Sequence, residues 1–126
     1  MRVFSFVATF LLVSACSSPE PDARLPKLYG SWQGVEWTEG SQDRSAKAGK
    51  IRYTFAEDGT YVADLNGFPQ SGTYEFTEGS LVLTPVDSAG RALDAAGIYV
   101  RTVSATDLVF SLGDKDVREI LKLQRR

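Results

Sequence analysis

Few residues of this chain belong to the types that carry covalent or metal chemistry. The 126 residues include one cysteine, Cys16, and no histidine. Without histidine, Ser-His-Asp and Cys-His nucleophile systems and histidine-rich zinc sites are excluded. A single cysteine also forms no disulfide and no dithiol redox pair within the chain. We therefore expect no catalytic residue, no metal and no cofactor, and we predict that the protein is not an enzyme.

Two glutamates and one arginine remain as candidate interior polar residues. In a closed barrel the first strand pairs with the last. If the face of the first strand that carries Glu36 and the face of the last strand that carries Glu119 both point inward, the two carboxylates meet in an apolar interior. Their repulsion then raises the pKa of one of them, and the pair could act as acid and base. The alternative is that the first strand has the opposite alternation, in which Val35 and Trp37 face inward and Glu36 faces solvent. An inward Arg101 would bind a carboxylate or phosphate group, whereas an outward Arg101 is an exposed cation on the wall.

The elements that position these side chains are β-strands. Apolar and polar residues alternate after Leu28, and turn signals such as Asp58-Gly59 and Asn66-Gly67 separate the alternating segments. The pattern predicts an all-β fold of eight strands joined as an antiparallel meander. Closure into a small barrel removes exposed strand edges, and a two-sheet β-sandwich is the alternative. The predicted strands are 29–38, 48–56, 60–66, 71–77, 80–85, 97–104, 107–112 and 116–124.

Two connections between the strands are longer than a tight turn. Residues 39–49 are polar and predict a surface loop. Residues 86–97 predict either a helix of about two turns or a structured loop. This second connection is either a simple crossover or a lid over one mouth of the barrel, where ligand contacts concentrate.

Seven aromatic residues fall on the predicted apolar faces. They form either a packed core or the lining of a ligand cavity. These residues are Trp32, Tyr53, Phe55, Tyr61, Tyr74, Phe76 and Phe110.

The N-terminal residues carry a targeting pattern. Arg2 precedes an apolar run at 3–13 that is too short to span a bilayer as a helix. The following Val13-Ser14-Ala15-Cys16 resembles a bacterial lipobox. This resemblance implies that residues 1–15 are a lipoprotein signal peptide and that Cys16 is lipidated. The alternative is a buried N-terminal element that ends in an ordinary core cysteine.

The lipobox resemblance also implies a location. A mature lipoprotein of this type carries several acyl chains, which makes the membrane anchor effectively permanent. Ser17, rather than Asp, follows the cysteine and favours the outer membrane, with the domain on its periplasmic face or, as the alternative, on the outside. Residues 16–27 contain three prolines and predict a tether of roughly 30 Å. The domain itself spans residues 28–126.

Two family resemblances bear on the domain. Gly30-Ser31-Trp32 resembles the Gly-x-Trp signature of lipocalins, and Phe55-x-x-Asp58-Gly59-Thr60-Tyr61 followed by Gly72-Thr73-Tyr74 is similar to a pattern of small bacterial lipocalin-like lipoproteins. A second resemblance, of residues 65–74 to META-type envelope domains, lacks that family's cysteine. The lipocalin resemblance covers residues 28–123. It implies a barrel with a basic side chain packed across Trp32, for which Lys122 and Arg125 are the candidates.

The functional hypotheses follow from the anchor and the barrel. An eight-stranded barrel encloses either packed side chains or one small ligand. The first hypothesis is a non-catalytic module that binds a small apolar or amphipathic molecule. The alternative is an envelope protein-interaction module with a packed barrel. The chain has 14 basic against 16 acidic residues and no basic stripe, so we expect no nucleic-acid partner.

Overall fold

The computed structural model describes residues 20–113 and 118–126. The predicted signal peptide, Cys16 and the first part of the predicted tether lie outside the described residues. Within the described ranges the chain forms two short helices, α1 (Leu25–Leu28) and α2 (Ser45–Ala48), and nine strands. The strands are β1 (Gly30–Glu39), β2 (Gln42–Asp43), β3 (Ile51–Phe55), β4 (Thr60–Leu65), β5 (Phe68–Thr77), β6 (Ser80–Pro85), β7 (Ala96–Val103), β8 (Asp107–Leu112) and β9 (Glu119–Arg125).

The nine strands form one antiparallel sheet that closes on itself. Strands β3 to β9 pair in chain order, and β1 pairs with β3 on one side and with β9 on the other. The eight long strands thereby make a barrel, and the two-residue β2 pairs with the end of β1. The predicted eight-stranded meander is confirmed. The sandwich alternative is wrong, because pairing of β1 with β9 joins the first long strand to the last.

A bulge in β1 decides which of its side chains face the core. The register against β9 shifts between Gly34 and Glu36. Before the shift Trp32 and Gly34 are buried, and after it the half-buried Trp37 turns toward the core. Val35 and Glu36 are both exposed at the bulge itself. Neither of the two predicted alternations therefore holds for the whole of β1, because the extra residue of a bulge moves every later side chain to the other face of the strand.

A second bulge lies in β7. The register against β8 shifts between Val100 and Thr102. Val100 and Val103 are buried on either side of the shift, whereas Arg101 and Thr102 are exposed. The bulge thus directs Arg101 away from the barrel interior.

The connection after β6 is a loop and contains no helix. Val86 forms an isolated bridge with Ala92. The Asp87 carboxylate accepts hydrogen bonds from the backbone N–H groups of Ala89 and Arg91, both at 2.9 Å. Aspartate bonded in this way to the following backbone favours a turn over a helix interior. The helix prediction for residues 86–97 is therefore wrong, and the structured-loop alternative is correct.

The barrel has two different ends. At the end that we call the sealed end lie helix α1 and the turns at 56–59, 78–79 and 104–106. At the opposite end, the loop end, lie residues 40–50, 66–67 and 86–95. Helix α2 packs into the loop end, where Ala48 is fully buried and its carbonyl oxygen fills the space beside Gly34. Both ends are therefore occupied by backbone.

The core is apolar throughout the described chain. Nineteen hydrophobic residues from Leu28 to Leu123 are buried, and no charged or amide side chain is buried with them. Both helices of the described ranges have four residues, and neither is long and apolar enough to cross a bilayer. Within the same ranges, no group of three or more acidic or cysteine side chains is placed to hold a metal ion.

Candidate functional site

The seven candidate aromatic side chains all lie buried in the barrel. Tyr53 stacks on Phe55 with ring centres 5.7 Å apart and meets Phe110 edge-on at 5.5 Å. Phe55 in turn contacts Tyr74 edge-on at 5.1 Å. Burial raises the pKa of Tyr53 to about 12, which keeps its hydroxyl neutral. These rings fill the centre of the barrel by packing on one another.

The three candidate interior polar residues are not brought together. Glu36 lies on the outer wall with its carboxylate 3.2 Å from the Lys122 ammonium group. Arg101 is exposed on the outside of β7, and Glu119 is half-buried at the loop end, opposite Glu39. The possible interior placement of Glu36 and Arg101 is thus corrected, because each lies at a bulge that turns it to solvent. The hypothetical Glu36–Glu119 acid–base pair is not formed.

The loop end carries a polar cluster that the sequence did not reveal. We call Trp37, Glu39, Arg44 and Glu119 the loop-end cluster. Arg44 donates a hydrogen bond of 2.8 Å to Glu39, and its guanidinium lies 5.8 Å from the centre of the Trp37 ring. A hydrogen bond between the two carboxyl groups lowers the pKa of Glu39 and raises the pKa of Glu119. Of the two carboxyl groups, Glu119 therefore takes up a proton first as pH falls, while Glu39 lies beside the Arg44 guanidinium.

We expect Glu119→Gln to stabilise the protein increasingly as pH rises. The pKa of Glu119 is raised in the folded state, so its favourable contribution is complete below the unfolded pKa and is lost as pH passes the folded pKa. A glutamine amide keeps a hydrogen-bond donor toward Glu39 at every pH. Urea unfolding of both proteins between about pH 4 and pH 7 measures this trend. A difference in unfolding free energy that is constant over this range would contradict the assignment.

The sealed end is closed by Trp32 and Arg125. The indole N–H of Trp32 donates a hydrogen bond of 2.9 Å to the carbonyl oxygen of Leu28, the last residue of α1. The Arg125 guanidinium lies 4.2 Å from the centre of the Trp32 ring. Of the two basic residues that the lipocalin resemblance offered, Arg125 therefore covers the tryptophan, whereas Lys122 pairs with Glu36 on the wall.

Replacement of Arg125 by Ala should cost about 1–2 kcal/mol of unfolding free energy. Besides its contact with Trp32, the guanidinium donates to the carbonyl oxygens of Lys27, Tyr29 and Ala105 at 2.6–2.8 Å. Lys122→Ala is the matched control on the same strand, and loss of its exposed ion pair should cost about 0–0.5 kcal/mol. Chemical denaturation measures both. If Arg125→Ala and Lys122→Ala lowered the free energy of unfolding equally, Arg125 would not stabilise the sealed end.

The residues before α1 are part of the fold. The Asp22 backbone N–H donates to the Phe76 carbonyl oxygen at 2.8 Å, and the Asp22 carboxylate accepts from the Gly79 N–H at 2.7 Å. Arg24 pairs with Asp22 at 3.0 Å and lies over the Phe76 ring, and its hydrogen bond lowers the pKa of Asp22 to about 2. The predicted extended tether therefore ends before Asp22 and does not reach Lys27.

Docking of this segment creates a groove at the sealed end. We call it the N-terminal groove; its volume is about 310 Å³. Its lining combines apolar and aromatic residues of the N-terminal segment and β5 with two glutamates. The lining residues are Pro21, Leu25, Tyr29, Glu57, Gly59, Tyr74, Glu75, Phe76 and Thr77. Such an apolar concavity with a few polar groups is the usual form of a small-molecule site.

A larger hollow of about 600 Å³ lies on the outer wall beside β1 and β9. Its lining residues are Gln33, Gly34, Val35, Gln124, Arg125 and Arg126. This lining lacks the aromatic surface that binds an apolar ligand. The N-terminal groove is therefore the better candidate site. Sequence reasoning missed it, although Leu25 beside Pro26 is an apolar signal within the predicted tether and Leu28 follows directly after it.

No protein-family model matches the sequence, and no curated protein is similar to it. Solved structures nevertheless share its fold. A lipocalin-like protein from Bacteroides uniformis aligns over 76% of this chain and 97% of its own, with 18% identity and a TM-score of 0.55. A biogenic amine-binding protein aligns over 88% of this chain and 72% of its own, with 14% identity and a TM-score of 0.51.

A third similar structure is the tryptamine complex of the amine-binding protein of Rhodnius prolixus. It aligns over 86% of this chain and 69% of its own, with 12% identity and a TM-score of 0.51. At these identities the likeness concerns the fold. The lipocalin-like barrel expected from Gly30-Ser31-Trp32 is confirmed.

Proposed function

We propose that this protein is a lipid-anchored, non-catalytic module of the bacterial envelope that binds a small apolar or amphipathic molecule in the N-terminal groove. The groove carries this proposal, because it offers an aromatic-walled volume of about 310 Å³ on a barrel whose centre is filled by its own rings. Two of the structures that share the fold are amine-binding proteins by name, which supports a small ligand.

The groove lies close to the proposed anchor. Pro21, one of its lining residues, is the fifth residue after Cys16. An extended chain of five residues reaches at most about 18 Å. This span is shorter than the roughly 30 Å predicted for a tether that ran to Lys27. Lipidation of Cys16 would thus hold the sealed end and its groove near the outer-membrane surface, where amphipathic molecules partition.

A probe-binding experiment tests the groove. The chain from Ser17 onward retains every core residue of the described barrel and serves as the soluble form. Its binding of N-phenyl-1-naphthylamine is followed by the fluorescence of the probe. Thr77→Trp, which places an indole at the groove wall, should weaken binding at least about tenfold.

Thr73→Trp is the matched control for the groove test. Thr73 lies on the same strand and outer face but outside the groove lining, so this variant should bind like the parent protein. Absence of probe binding to the parent, or equal binding by both variants, would overturn the proposed site. The anchor is tested separately, since Cys16→Ser in the full chain should release the protein from the outer-membrane fraction.

The filled barrel also favours a second function, the binding of an envelope protein partner. Several large apolar side chains are exposed on the outside of the barrel, including Phe68 at 74% and Tyr99 at 58% of their full surface. A photo-crosslinking residue at Phe68 in the native envelope tests this function. A discrete adduct that is lost on competition with the soluble domain would support it, and absence of any adduct would contradict it.

A further inference from the structure

We propose that the N-terminal groove selects ligands that carry a positive charge on a compact apolar body. This inference rests on the proposed function, since it names the chemical class that the same groove takes. The observations behind it are the charges of the lining, the aromatic character of the walls and the state of the neighbouring arginine.

The charged groups that line the groove are of one sign. Glu57 in the 56–59 turn and Glu75 on β5 both line it, and both residues are exposed. No arginine or lysine is among the lining residues. Two carboxylates at an apolar concavity attract a cation and disfavour an anion of the same shape. The lining therefore discriminates by charge as well as by shape.

A basic side chain that contacts one of the lining residues, Arg24, is already paired with a carboxylate. Arg24 contacts Phe76, but its Nε and Nη2 atoms donate to the two oxygens of Asp22 at 3.0 and 3.1 Å. This bidentate pair is neutral in sum and is fixed in orientation. Arg24 is thus engaged with Asp22, and among the residues that the structure describes neither Glu57 nor Glu75 forms an ion pair.

Besides the two glutamates, the groove lining includes aromatic residues that suit the apolar body of a ligand. Tyr29, Tyr74 and Phe76 line the groove. Ring faces attract cations as well as apolar groups, and the guanidinium of Arg24, 5.3 Å from the centre of the Phe76 ring, shows one of these rings in such a contact. An ammonium group at the carboxylates with an aromatic body against the rings would use both features at once.

The acidic groups near Tyr74 agree with a preference for cationic ligands. Its pKa is raised to about 12, first by burial and then by the nearby Tyr29, Asp58 and Glu57. Its hydroxyl donates a hydrogen bond of 2.6 Å to the carbonyl oxygen of Ala56. The phenol therefore stays neutral and anchored beside the groove, and it adds no negative charge of its own.

Three probes of matched shape test the inference. They are 1-naphthylmethylamine, which is cationic at pH 7, the neutral 1-naphthalenemethanol, and anionic 1-naphthoate. Each competes with N-phenyl-1-naphthylamine on the soluble form. We expect the cation to bind about five- to tenfold more tightly than the alcohol, and we expect the anion to bind most weakly. The preference should decrease as salt increases, because the carboxylates are exposed.

Substitutions assign the charge preference to the groove. The double variant Glu57→Gln and Glu75→Gln should lose the preference for the amine over the alcohol. Glu36→Gln, an exposed glutamate on the distant wall of β1, is the matched control and should keep it. A parent protein that binds alcohol and amine equally, or a double variant that retains the preference, overturns this inference while the proposed function stands. Failure of all three probes to compete overturns this inference, whereas failure of N-phenyl-1-naphthylamine itself to bind overturns both.

Discussion

Trp32→Ala should lower the free energy of unfolding by about 3–5 kcal/mol. The side chain is fully buried, donates its indole hydrogen bond to Leu28 and lies under the Arg125 guanidinium. Truncation removes the largest fully buried side chain of the barrel, leaves the Leu28 carbonyl oxygen without this donor and takes away the ring that Arg125 covers. Three mechanisms of destabilisation therefore coincide at one residue.

The measurement is urea denaturation followed by far-ultraviolet circular dichroism, which does not depend on tryptophan emission. Trp37→Ala is the matched control. Trp37 is only half-buried at the loop end, so the same truncation should cost about 1–2 kcal/mol. A Trp32→Ala loss no larger than that of Trp37→Ala would show that the sealed end does not organise the barrel. Because α1 and the N-terminal groove lie at this end, the variant should also lose probe binding.

Gly72→Ala should destabilise the barrel by about 1–3 kcal/mol, although it adds a single methyl group. Gly72 lies within β5 opposite Pro85 on β6. A Cβ atom built there overlaps the carbonyl oxygen of Thr84 and the Cα atom of Pro85. Both obstacles are backbone atoms of a paired strand, so neither moves aside as a flexible side chain would. The expected result is a separation of β5 from β6 at this point.

Gly97→Ala is the comparison that isolates steric overlap from the general effect of replacing glycine in a strand. Gly97 lies in β7, and a Cβ atom there meets nothing within 4 Å. The free energy of unfolding of this variant should stay within about 0.5 kcal/mol of that of the parent protein. Thermal and urea unfolding of the two variants side by side measure the difference. Equal stability of both variants would contradict the close approach of β5 and β6.

The two ends of the barrel divide structural and binding roles. At the loop end, α2 and the loop-end cluster fill the space where a ligand would enter a hollow barrel. At the sealed end, the N-terminal segment docks on β5 and leaves the groove at its side. Ligand binding in this protein is thus proposed at the margin of a packed barrel, next to the proposed lipid anchor. Residues 86–97 lie at the loop end, whereas the N-terminal groove lies at the sealed end. Their predicted role as a lid over one mouth of the barrel therefore stays a prediction.

The candidate site was only partly predictable. Tyr74 and Phe76 were named from their alternation in a strand, and both line the groove. The sequence places Pro21 and Leu25 in a tether, because a proline-rich segment without a long apolar repeat resembles a linker. The contacts of Asp22 with Phe76 and Gly79 join residues more than fifty positions apart. No local pattern encodes such contacts.

The sequence by itself left a closed barrel and a two-sheet sandwich as alternatives, but it determined the all-β class, the order of the long strands and the hairpin turns between them. These properties follow from alternation of apolar residues and from turn chemistry, which act over a few neighbouring residues. Asn66-Gly67 is one example, since both residues adopt the positive φ values that a two-residue hairpin requires. Only the tertiary structure decided that Glu39 meets Glu119, that Arg101 faces solvent and that a groove exists. Each depends on a register shift or on a contact between distant segments, whose energy is set by packing of the whole barrel.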